Sequence, residues 1–155
     1  MGGEIAQVIT YSGLPVVLKD IDQSQLDLAR RKVEGIYQRR VDKGKMTTGQ
    51  VQEKLDLIDY TLEYDDFADV DIVVEAVVER LPVKQQVFRE VEEVAPGAVL
   101  ATNTSTIPVG QLAVELQWPE RFCGLHFFHP VGERPLVEIV RGAKTATRAP
   151  PQTET

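Results

Sequence analysis

Apolar positions along the chain alternate between two spacings, one that suits helices and one that suits strands. Residues 3–11 are short, mixed and partly apolar, and Ser12-Gly13-Leu14-Pro15 then supplies turn chemistry that stops a helix. Pro15-Val16-Val17-Leu18-Lys19-Asp20 is a β-branched run closed by an acid, which predicts a strand, and Asp22 with Gln25 predicts a capping box for the helix that follows. Leu26, Ala29, Val33 and Ile36 recur at helical spacing, with Arg30, Arg31, Arg39 and Arg40 spread around the remaining face. A second helical pattern, Val51, Leu55 and Ile58, begins after Thr47-Thr48, and Lys43-Gly44-Lys45 separates the two, so a helical hairpin is expected.

Residues 58–64 turn β-like but carry few apolar positions, which suits an edge strand. Residues 71–78 are nearly continuous apolar sequence, as in a parallel strand covered on both faces, and make the best central strand of the chain. Pro82 sits where a first helical turn tolerates proline, Val83, Val87, Val91 and Val94 trace one face, and Ala95-Pro96-Gly97 ends that helix. Val99–Thr102, Phe122–Phe128 and Leu136–Val140 complete the strands, the last two joined by a Pro- and Gly-containing connection over 129–135. Strands alternating with helices predict an α/β fold with a mostly parallel sheet in one domain, residues 1–142. Residues 143–155 offer no apolar face and are expected to form a disordered tail or a severed linker.

Composition narrows the chemistry. The 155 residues, 43% of them hydrophobic, suffice for one core of ordinary size. A net charge of -7 and pI near 4.9 disfavour nucleic acid or an anionic membrane as partner, so a small molecule is expected. Cys123 is the single cysteine and cannot form an internal disulfide, and His126 and His129 lack the further ligands of a zinc site. No apolar run approaches the roughly 20 residues that span a bilayer, and a soluble, reducing compartment fits best.

Six stretches carry a resemblance: Met1-Gly2-Gly3-Glu4-Ile5-Ala6-Gln7, Val16-Val17-Leu18-Lys19-Asp20-Ile21-Asp22, Val73-Val74-Glu75-Ala76-Val77-Val78-Glu79, Ala101-Thr102-Asn103-Thr104-Ser105-Thr106, Gly124-Leu125-His126-Phe127-Phe128-His129-Pro130 and Leu136-Val137-Glu138-Ile139-Val140. In this order and at these spacings the chain resembles the 3-hydroxyacyl-CoA dehydrogenase family of fatty-acid β-oxidation, over residues 1–142. Val41-Asp42-Lys43-Gly44-Lys45-Met46-Thr47 further resembles the dehydrogenase part of the multifunctional β-oxidation α-subunits.

The resemblance implies a Rossmann-like, doubly wound domain that binds NAD and oxidises (3S)-3-hydroxyacyl-CoA to 3-oxoacyl-CoA. It also implies truncation at both ends. The first strand and first two glycines of the phosphate-binding turn would precede Met1, leaving Gly2 in the third glycine position, where a missing side chain lets helix and strand pack closely. A helical domain that closes over acyl-CoA and forms most of the dimer contact would follow the chain. Dimer or multienzyme-complex membership is implied for the parent enzyme, in the bacterial cytoplasm or the mitochondrial matrix.

Residue by residue, Asp20 at a strand end becomes the ribose ligand, against the alternative that it caps the next helix. Gly3 is open to reading as a residue at a frayed end. Ala76, Glu79 and Lys84 match positions lining the cofactor pocket, with a solvated Glu79 and Lys84 pair as the alternative. His126 matches the catalytic base, and Glu138 the carboxylate that orients it, since a lone acid inside an apolar strand is costly to bury without a partner. The alternative places Glu138 in water on an edge strand and His126 in the core. Ser105 matches a residue that hydrogen-bonds both the cofactor side and the substrate oxygen, against a helix N-cap. His129 departs from the asparagine usual at the nicotinamide side, and Glu133 and Arg134 replace usually apolar positions near acyl-chain entry. Three other functional readings stay open: a non-catalytic remnant or partner-binding fragment, a stand-alone 3-hydroxybutyryl-CoA dehydrogenase, and a related NAD-dependent hydroxyacid or sugar-nucleotide dehydrogenase.

Overall fold

A computed structural model describes residues 1–147 of the chain. Two compact units are present, one built from Met1–Glu63 with His129–Pro135, the other from Tyr64–Phe128 with the stretch from Leu136 onward. Among the described residues no strand precedes the first helix, and the strands form two ladders.

In the first unit, helix α1 (Gly2–Tyr11) leads into strand β1 (Val16–Lys19), helix α2 (Gln23–Asp42), helix α3 (Thr48–Leu55) and strand β2 (Ile58–Thr61). Strands β1 and β2 pair in parallel, Val16 opposite Ile58 and Lys19 opposite Thr61. Their core is Ala6, Leu18, Leu26, Val33, Tyr37 and Ile58, the apolar stripe of α2 meeting α1 and β1. Tyr37 is fully buried, and its hydroxyl bonds Thr10 Oγ1 at 2.9 Å and donates to the Gln7 carbonyl at 3.1 Å, so no hydroxyl is stranded in that core. Asp22 caps α2 by accepting the Gln25 N–H at 3.0 Å, but the reciprocal capping box forms one helix later. There the Gln50 N–H donates to Thr47 Oγ1 at 3.2 Å and the Thr47 N–H to Gln50 Oε1 at 2.9 Å.

In the second unit, β3 (Ile72–Glu75), α4 (Leu81–Val94), β4 (Val99–Thr102), α5 (Val109–Ala113), β5 (Phe122–Phe127) and β6 (Val137–Arg141) follow in order. The ladder runs β3-β4-β5-β6, parallel except for the antiparallel β5 and β6 pair. Phe88 of α4 and Phe122 of β5, both fully buried, meet edge to face with centroids 4.8 Å apart.

Two expectations are corrected here. Strand β3, expected to be central, stands at the end of its ladder, and it stops at Glu75, whose carboxylate accepts the Val77 N–H at 2.7 Å and turns the chain out of the strand. The tail expected to be disordered from residue 143 is anchored at its start. Thr145 Oγ1 donates to the Phe122 carbonyl at 2.6 Å and accepts the Gly142 N–H at 2.9 Å, while the Ala146 N–H donates to the Glu120 carbonyl at 2.9 Å. The rest of that tail, 148–155, lies outside the described residues.

Candidate active site

The close approach expected at Gly2 belongs to its neighbour. A Cβ on Gly3 would stand 3.2–3.3 Å from Ala29 of α2, whereas one on Gly2 would meet nothing within 4 Å. Gly3 is therefore a packing glycine rather than part of a frayed end, and Gly2 faces open space at a helix start whose cap position, Met1, offers no side-chain bond. Such an N-terminus presents amide donors and a favourable dipole to an anion. Asp20 is half-buried just beyond β1, and one carboxylate oxygen accepts the Ile21 N–H at 2.8 Å. Capping of α2 falls to Asp22, so the capping alternative for Asp20 does not hold.

Glu4, beside these glycines, is a buried acid that sequence reasoning passed over. Its carboxylate takes the Lys32 ammonium at 2.6 Å, the Val131 N–H at 3.1 Å and His129 Nδ1 at 3.1 Å. Burial pushes the carboxyl up, but the bonds from Lys32 and Val131 and the charges of Lys32 and His129 outweigh it and hold Glu4 below its ordinary value. His129 thus sits beside Glu4, mostly exposed, and tethers the 129–131 stretch to α1. Along the same face of α2 lies a cleft of about 460 Å³ walled by Arg31, Lys32, Arg39, Arg40, Lys43 and Lys45. Its acids are Glu4 and Glu133. Of the cations read as spread around α2, Arg31, Arg39 and Arg40 converge here while Arg30 stacks on Tyr60, and the spacing of Arg31, Arg39 and Lys43, set four and eight apart, was the available signal.

In the second unit Lys84 is not half of a solvated pair. Its side chain is 1% exposed, and Nζ donates to Glu75 Oε1 at 2.7 Å, Glu79 Oε2 at 3.2 Å and the Val77 carbonyl at 3.3 Å. All three ammonium donors are consumed, which leaves none for a ligand. Glu75, fully buried, also accepts the Thr102 hydroxyl at 2.8 Å. Glu79 stays 41% exposed and accepts the hydroxyls of Thr104 and of Thr106, the latter at 2.8 Å. Burial pushes Glu79 up, yet bonds from Thr104, Thr106 and Lys84 prevail and lower it to about 2. Ala76, half-buried, lies between these two acids in the chain.

The cap at the β4–α5 loop is Thr104, whose Oγ1 accepts the N–H groups of Ile107 at 3.0 Å and Thr106 at 3.3 Å. Ser105 does not serve as the N-cap, and its side chain is exposed. His126 and Glu138 stand opposite one another in the β5 and β6 register, with His126 Nδ1 3.1 Å from Glu138 Oε2. Cross-strand partners share a face, so the pairing follows from register alone. The environment differs from the expected buried acid: every residue of β6 is exposed, Glu138 at 52%, while the His126 side chain is 19% exposed. The edge-strand alternative is right about the strand and wrong about the pair. A neutral imidazole that donates Nδ1–H to Glu138 presents a bare Nε2, the arrangement a proton acceptor needs.

Residues 1–154 match the family model described as 3-hydroxyacyl-CoA dehydrogenase, NAD binding domain. The chain belongs to that family. It is 48% identical over 150 residues to the fatty acid oxidation complex subunit alpha of Psychrobacter arcticus, covering 96% of this chain and 21% of the relative. The same-named subunit of Pseudomonas putida is 48% identical over 147 residues, 94% of this chain and 21% of that one. The chain thus spans about a fifth of the length of the curated relatives it matches. Among solved structures it superposes on FadB2 of M. tuberculosis with a TM-score of 0.91 at 38% identity, over 95% of this chain and 52% of the other. On (S)-3-hydroxybutyryl-CoA dehydrogenase PaaH1 from Ralstonia eutropha the TM-score is 0.92 at 33% identity, over 95% and 52%. The fold is that of an NAD-binding 3-hydroxyacyl-CoA dehydrogenase domain, and no described helix is long and apolar enough to cross a membrane.

Proposed function

We propose that this chain is the NAD-binding part of an enzyme that oxidises (3S)-3-hydroxyacyl-CoA to 3-oxoacyl-CoA. The observation that carries the reading is the His126 and Glu138 pair, Nδ1 to Oε2 at 3.1 Å, on a strand end facing solvent. His126 Nε2 takes the C3 hydroxyl proton, and Glu138 fixes the tautomer and offsets the positive charge that the ring gains. Ser105 holds the substrate oxygen, its hydroxyl left to that task by the Thr104 cap. The chemistry supplied by bound NAD is acceptance of the C3 hydride.

The residues present fit the ribose side of that cofactor. The Asp20 carboxylate at the end of β1 suits a ribose diol. Ala76, Glu79 and Ser105 are assigned to the cofactor by family resemblance. Lys84 supports Glu79 rather than touching a ligand. His129, bonded to Glu4, keeps a cofactor role only through its exposed ring edge.

For the substrate, the six-cation cleft along α2 and the turn that follows it suits the phosphates of a coenzyme A thioester and supports acyl-CoA as the ligand class. The names and organisms of the relatives support membership of a bacterial fatty-acid oxidation complex. The test is NADH formation from NAD and 3-hydroxybutyryl-CoA by the whole protein that carries this chain. Activity lost in His126→Gln is expected, and an intact, folded protein with no such activity would sink the reading.

A further inference from the structure

The β4 and β5 ladder ends at Thr102 opposite Gly124, two residues short of His126. Beyond that point β5 is paired on its other side by β6, through Phe127 opposite Val137, but the β4 side has no backbone rung. A side chain fills that position. Asn103 Oδ1 accepts the Phe127 N–H at 2.8 Å, while the Asn103 backbone N–H donates to the Glu75 carbonyl at 2.8 Å. One residue therefore ties the carboxyl ends of β3, β4 and β5 together at the strand position next to His126.

We propose that Asn103 is a positioning residue for His126, acting as a side-chain rung that fixes the strand carrying the imidazole. The inference rests on the proposed role of His126 as the proton acceptor. The physical need is specific. His126 has one carboxylate partner on an exposed edge strand, and an edge strand alone leaves a strand end free to twist. Small displacements of a reacting group lower rates steeply, so a group held on one side only is a poor base. The amide oxygen of Asn103 supplies the second side without bringing a charge near the ring. It reaches Phe127 rather than His126 itself, so it acts through the backbone and touches neither the imidazole nor Glu138.

The experiment uses the whole protein, wild type beside Asn103→Ala and Asn103→Asp, the latter keeping an acceptor oxygen at the same reach. Three signals are read: hydrogen exchange of the Phe127 amide, the ring ¹⁵N shifts of His126, and kcat apart from KM. For Asn103→Ala we expect at least tenfold faster exchange at Phe127, a tautomer-averaged His126 ring, and kcat about tenfold lower with KM within about twofold. Asn103→Asp should restore the Phe127 protection. Unchanged Phe127 exchange and His126 shifts in Asn103→Ala would overturn the proposal, as would a loss of Phe127 protection that Asn103→Asp leaves unrepaired. Should Asn103→Ala not fold, Asn103→Gln, which moves the amide out by one methylene, is read in the same way. The exchange and ring signals do not depend on turnover, so wild-type protein without activity would sink the proposed function while this inference is still decided by them.

Discussion

Two carboxylate–base groupings of the second unit contrast, one closed and one open. Lys84 between Glu75 and Glu79 is sealed, with every ammonium donor used and Glu75 fully buried. His126 meets Glu138 through one hydrogen bond, and Glu138 lies half in water. In a low-dielectric interior a charge must be fully partnered, so the sealed cluster contributes architecture. The open pair leaves His126 Nε2 without a hydrogen-bond partner among the described residues, which suits it to chemistry but lends little to stability. The difference teaches which of two similar-looking pairs to assign to turnover.

Substitution at the sealed cluster gives the largest expected effect. Lys84→Met keeps much of the apolar stem but leaves two carboxylates facing one another without their cation. The loss should approach about 5 kcal/mol, the upper end for breaking a buried pair. Urea denaturation of the whole protein measures it, and a loss below about 1 kcal/mol would break the contrast. His126→Gln is the opposite case. Stability should stay within about 0.5 kcal/mol of wild type while kcat falls about a hundred- to a thousandfold. A large drop in stability would assign His126 to the core instead.

How far the sequence reveals these features depends on range. Strand β4 is legible to the residue from its apolar run after Ala95-Pro96-Gly97, and α4 to within one position from Pro82 and the Val83, Val87, Val91 and Val94 stripe. The five-residue α5 and the 3-10 turns at 65–67, 119–121 and 131–133 escape, since so few residues show no period. His126 and Glu138 are legible through their motifs, but the exposure of β6 is not, because Leu136-Val137-Glu138-Ile139-Val140 reads the same whether the strand is covered or bare. Glu4, Glu75 and Asn103 look like ordinary polar residues in sequence. Their roles come from partners far along the chain: Val131 for Glu4, Thr102 for Glu75, Phe127 for Asn103. The cationic cleft is missed for the same reason, its wall joining α2 to Pro130 and Gly132.

Gly124 allows the open pair to be disturbed without touching the sealed one. A Cβ there would stand 2.9 Å from Val140 Cβ and 3.2 Å from Val109 Cγ2, and Gly124 lies two residues before His126, on the same face of β5. Gly124→Ala should push β6 outward, with a cost of about 2 kcal/mol from overpacking. The kcat of the whole protein should fall by more than its KM rises, because Glu138 moves with β6 while Lys84 keeps its partners. Equal changes in Gly124→Ala and in an Ala substitution on exposed α3 would show that the ladder spacing is immaterial.

The smallest effect is a pH dependence confined to the rim of the sealed cluster. Glu79 is lowered from 4.5 to about 2 in the folded chain, against its burial, by Thr104, Thr106 and Lys84. A carboxyl with a depressed folded value contributes stability that is present above pH 4.5 and lost as pH falls toward 2. Glu79 is 41% exposed, so solvent screening keeps the contribution modest. Urea midpoints for wild type and Glu79→Gln should therefore differ by a constant amount from pH 7 down to pH 4.5, then converge as pH falls toward 2. Glu75→Gln cannot give so clean a signal, because it removes a fully buried charge that Lys84 needs. A Glu79→Gln difference that stays the same from pH 7 to pH 2.5 would mean that Glu79 bonds its threonines equally well in both protonation states. The sealed cluster would then reduce to Lys84 and Glu75 alone.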